Sequence, residues 1–175
     1  MNKVILAFFV VALAFPIVAF STEPERKISW DDLYLPPPQD VTMQMKVLRD
    51  GDLADTLSNE ELQSRWEALE EQAYPVVEEM DGQIVRIPGF IVPVDFEDNV
   101  VREFLLVPYF GACIHTPPPP PNQVIFVKAG IDFEMTELYD PVWVTGEIRV
   151  LNKSTELAET GYTLTANSIF PYVED

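Results

Sequence analysis

The chain has 175 residues, 47% hydrophobic and 23% charged, enough for one domain of ordinary size with a buried core and a short appendage. Lys and Arg number 11 against 29 Asp and Glu, a net charge of −18. That balance excludes a nucleic-acid binder, which needs clustered cations, and a protein held on an anionic membrane surface.

Lys3 precedes an uncharged apolar run over residues 4–20, and Ala19 and Ser21 are small. This reads as a secretory signal peptide over 1–21, cleaved near Ser21. A membrane anchor is the alternative, because the run lies at the lower edge of spanning length. Pro16 and the small residues after it favour cleavage, and no cysteine follows to carry a lipid. The mature chain then keeps 10 basic and 29 acidic residues, a net charge of −19. The expectation is a soluble periplasmic protein with no membrane insertion after cleavage. Cysteines normally pair in that compartment, yet Cys113 is the chain's only one and must remain a free thiol.

Residues 22–57 read as an irregular N-terminal arm. Ser29, Asp31 and Asp32 favour one helical turn, Trp30 and Leu33 anchor it to the domain surface, and Pro36–Pro38 stop it. From 40 to 57 the pattern is ambiguous: Val41, Met43, Met45 and Val47 alternate, then Asp50-Gly51-Asp52 suggests a turn. Ser58 and Glu61 form a capping box, and Leu62, Trp66, Leu69 and Ala73 recur at helical spacing until Pro75. One amphipathic helix over 58–74 follows.

After Asp81-Gly82 the period changes to that of strands, and a barrel domain is expected over 82–175. The strands fall at 83–94, bent at Pro88-Gly89 and Pro93; at 100–107; at 123–128, apolar on both faces; at 142–151; and at 161–166. Residues 135–138 hold one helical turn between the third and fourth. Strand, strand, strand, short helix, strand, strand is the order of an OB-fold. The fold class is therefore mainly β, a small five-stranded OB-like barrel preceded by one helix and the arm, with a β-sandwich as the alternative.

The chemistry concentrates between the second and third strands, in Val107-Pro108-Tyr109-Phe110-Gly111-Ala112-Cys113-Ile114-His115-Thr116, Pro117 to Pro121, Asn122 and Gln123. The only Cys and the only His stand two apart, on one face of an extended backbone. They read as a pair of metal ligands, zinc accepting thiolate and imidazole together and copper(I) accepting both as well. Packing alone is the competing reading for each residue. Two ligands do not fill a zinc site, and Asp95, Glu97, Asp132 and Glu134 are candidates to complete it. Pro117, Pro118, Pro119, Pro120 and Pro121 suit a polyproline II rod of roughly 15 Å, at about 3.1 Å per residue. With Tyr109, Phe110, Asn122 and Gln123 they form a candidate partner-binding surface. Tyr109, Phe110, Trp143 and Tyr162 can stack on a sugar or serve the core. No nucleophile elbow, phosphate loop or catalytic carboxylate pair is visible, so no enzyme is expected; a Cys113–His115 thiol enzyme is the least supported reading.

The run 104–123, FLLVPYFGACIHTPPPPPNQ, with residues 28–33, 85–90 and 141–146, resembles an exported bacterial family of unknown function. The resemblance covers most of the mature chain. It implies export and an association with zinc-linked ABC transporters, and nothing here is His-rich enough for a bulk zinc buffer. The combined expectation is a periplasmic accessory protein of a metal or envelope ABC transporter, handling Zn2+ through Cys113 and His115. Its partner is then an envelope protein or transporter component. A metal-free protein–protein interaction module is the alternative.

Overall fold

A computed structural model describes residues 25–50, 57–97, 100–112, 118–134 and 141–173. The signal peptide expected over 1–21, the turn at 51–52, the helical turn at 135–138 and residues 113–117 lie outside them.

Five strands close into a barrel: β2 (Ile84–Glu97), β3 (Val100–Val107), β4 (Ile125–Glu134), β5 (Val142–Arg149) and β8 (Tyr162–Pro171). Strands β2, β3 and β4 form an antiparallel meander, β4 pairs parallel with β8, β8 antiparallel with β5, and β5 antiparallel with β2. This is the expected OB ring. The first strand closes it because it is long and bent: Ile84–Gly89 pairs with β5, and Phe90–Glu97 pairs with β3. Gly89 sits at the change of partner, where a Cβ would come within 2.8 Å of Leu106 and 2.9 Å of the Val107 carbonyl. A register shift follows Pro93, which cannot donate to the ladder.

Alternating residues fill the interior. Val85, Ile87, Phe104, Leu106, Ile125, Val127, Val144, Ile148, Tyr162 and Leu164 are all fully buried in one cluster. Residues at the opposite parity form a second one: Val92, Leu105, Val107, Val124 and Phe126, joined by Ala112 and Ala158. Successive strand residues face opposite ways, so this second cluster lies on the outside of β2, β3 and β4. A small hairpin of β6 (Lys153–Ser154) and β7 (Glu159–Thr160) lies between β5 and β8 in the chain. From it Lys153 Nζ stands 3.4 Å from the Phe126 ring centroid and 3.8 Å from Glu103.

The arm is ordered where it meets the barrel. Its short strand β1 (Arg26–Lys27) runs parallel to β2, and a 3-10 turn at Trp30–Leu33 buries Leu33 completely. Trp30 Nε1 donates to the Pro88 carbonyl at 2.7 Å, meeting an acceptor at the bend. Outside β5, Trp143 is covered by Lys27 and Arg86 on its ring and by a stacked Tyr172 at 5.2 Å.

The arm also differs from expectation. Gln39–Asp50 is a 12-residue helix, α1, where the alternating sequence pattern is ambiguous. Val41, Met45 and Leu48 share a helical face and pack on Leu69, Ala73, Leu62 and Trp66 of α2 (Asn59–Ala73). Two helices therefore precede the barrel rather than one. The start of α2 is as read: Glu61 N–H donates to Ser58 Oγ at 3.3 Å, and Ser58 N–H donates back to Glu61 at 3.0 Å.

Candidate functional site

The sequence motif begins where β3 ends. Pro108 to Gly111 form a turn in which Gly111 takes φ +82°, and Ala112 then drops into the outer cluster, fully buried. Tyr109 and Phe110 remain 45% and 51% exposed, with Phe110 edge-on to Phe90 at 6.1 Å. At the far side Pro118 is exposed, Pro119 buried and Pro120 half-buried. Extended backbone reaches Pro120 (φ −58°, ψ 152°), and Pro121–Gln123 then wind into a 3-10 turn. Pro121 thus begins a turn instead of ending a rod.

That turn is a staple. The Gly161 N–H donates to the Pro121 carbonyl at 2.6 Å. Asn122 is fully buried, and its Nδ2 donates to the Pro75 carbonyl at 3.0 Å and the Leu35 carbonyl at 3.4 Å. Gln123 Nε2 donates to the Trp30 carbonyl at 3.0 Å. Three segments distant in sequence meet there: the arm, the stretch after α2 and the entry to β8. Asn122 and Gln123, read from the sequence as partner-facing, make intrachain contacts.

Cys113, His115 and Pro117 lie outside the described residues, between the buried Ala112 and the exposed Pro118. The backbone locates their proposed helpers. Glu97 and Glu134 each pair with Val100, at the opposite end of β3 from Val107, where the loop departs. Seven residues of strand separate those ends, roughly 23 Å. Asp132 lies on the same far half of β4, and Asp95 stands opposite Glu103 with its side chain exposed. The topology therefore does not bring Glu97, Asp132 or Glu134 to the loop. Among the described residues no group of three or more His, Cys, Asp or Glu is placed to hold a metal, and none of their helices is long and apolar enough to cross a membrane.

The outer cluster bears on what the barrel can bind. OB barrels use the outer surface of their second and third strands for oligonucleotides and oligosaccharides. Those strands are β3 and β4 here, and Leu105, Val107 and Phe126 on that surface are fully buried beneath the chain's own loop and hairpin residues. Trp143 and Tyr162, weighed above as sugar-stacking aromatics, are likewise buried at 5% and 0% exposure. Tyr109 and Phe110 alone of the four are exposed. Runs apolar at both parities, 104–107 and 124–127, were the signal in the sequence for this covered face.

The architecture is that of an OB barrel whose usual ligand surface is closed by its own loops, with a motif-bearing loop anchored at both ends. The chain belongs to the DUF3299 family, proteins of unknown function, whose family model matches residues 30–171. It is similar to the crystal structure of a DUF3299 family protein from Pseudomonas aeruginosa PAO1, at 34% identity and a TM-score of 0.63. That similarity covers 87% of this chain and 99% of the other. No curated protein matches the chain.

Proposed function

We propose that this chain is an exported accessory protein of a metal or envelope ABC transporter, that the metal is zinc, and that Cys113 and His115 are its ligands. The observation that supports this reading is the anchoring of their loop. Ala112 before the segment and Asn122 after it are both fully buried, so its two flanks are fixed in the fold. A restrained loop loses less entropy on gathering two ligands than a free one. Thiolate and neutral imidazole form a donor set that zinc accepts. The remaining positions belong to groups near the loop or to a partner, as in a site that receives and passes on an ion. Titration of the mature chain with zinc should give a stoichiometry near one, and Cys113→Ala or His115→Ala should abolish binding while leaving the far-UV spectrum intact. Zinc affinity unchanged in both variants would remove these residues from any metal role.

A second reading, a metal-free interaction module, draws support from the exposed pair Tyr109 and Phe110 beside exposed Pro118. Capture of an envelope protein that survives Cys113→Ala and chelation, but is lost in Phe110→Ala, would favour it over the first.

A further inference from the structure

We draw no further inference here: the strongest candidate, the open apolar groove between α1 and α2 at Met43 and Val47, is walled by both Asp40 and Arg65, and nothing in the structure shows what covers it.

Discussion

Tyr162 opens the last barrel strand with its ring fully buried and its hydroxyl between two segments from elsewhere in the chain. It accepts from the Val77 N–H at 2.7 Å and donates to the Leu33 carbonyl at 3.1 Å, joining the arm to the stretch after α2. Burial pushes its phenol above the usual tyrosine range; the Val77 N–H pulls it partly back and the charge of Glu78 adds to the rise. The neutral phenol is the form the fold favours. Stability from this group is therefore complete below the ordinary value near pH 10 and declines as the pH climbs from there through the raised one. Tyr162→Phe keeps the ring and strands a buried donor and acceptor, so it should cost about 1–3 kcal/mol in urea unfolding at neutral pH. It should also flatten the loss of stability above pH 10. A variant as stable as the parent, with the same alkaline slope, would contradict the role given to this hydroxyl.

At the scale of elements, the turn Pro121–Gln123 decides how the arm, the end of α2 and β8 meet. Asn122 supplies two donors to backbone carbonyls from a site with no solvent access, and Asn is chosen for donation there. Asn122→Ala should cost about 1–3 kcal/mol in the urea midpoint. Asn122→Asp should cost more than Asn122→Ala, since a buried carboxylate cannot donate and would face the Pro75 and Leu35 carbonyls. The reverse order would show that size, not donation, matters at this position. The helices teach the limits of pattern. Ser58 and Glu61 announce α2 because a capping box acts within one turn. Helix α1 hid behind an alternation of Val41, Met43, Met45 and Val47 that fits a strand equally well. Its helical face, Val41, Met45 and Leu48, acquires meaning only when α2 lies opposite.

For the whole molecule, charge sets the balance. With 11 Lys and Arg against 29 Asp and Glu, a surplus of 18 negative charges remains however they pair. The ion pairs Arg26–Asp32, Arg86–Glu25, Arg149–Asp81 and Lys153–Glu103 are solvent-exposed, and such pairs contribute about 0–1 kcal/mol each. Repulsion among the surplus carboxylates outweighs them. Raising the salt from about 10 mM to about 150 mM shortens the screening length from about 30 Å to about 8 Å. The thermal midpoint should therefore rise with sodium chloride, and a midpoint that falls would mean that attractive pairs dominate.

The five strands, their order and the start of α2 were legible in the chain because each rests on local signals. Alternation, glycine–proline bends and a cap all act within a few residues. Three matters depended on segments far apart in sequence. Ring closure required β2 to change partners at Gly89. The outer surface of β3 and β4 closed because Ala112 and Ala158 arrive there from separate loops. The carboxylates at 97, 132 and 134 moved to the end of β3 opposite the loop because antiparallel pairing sets them beside Val100 or on the same far half of β4. Spacing along a chain reports neighbours within a strand or turn, whereas pairing register and loop return decide which distant residues share a place.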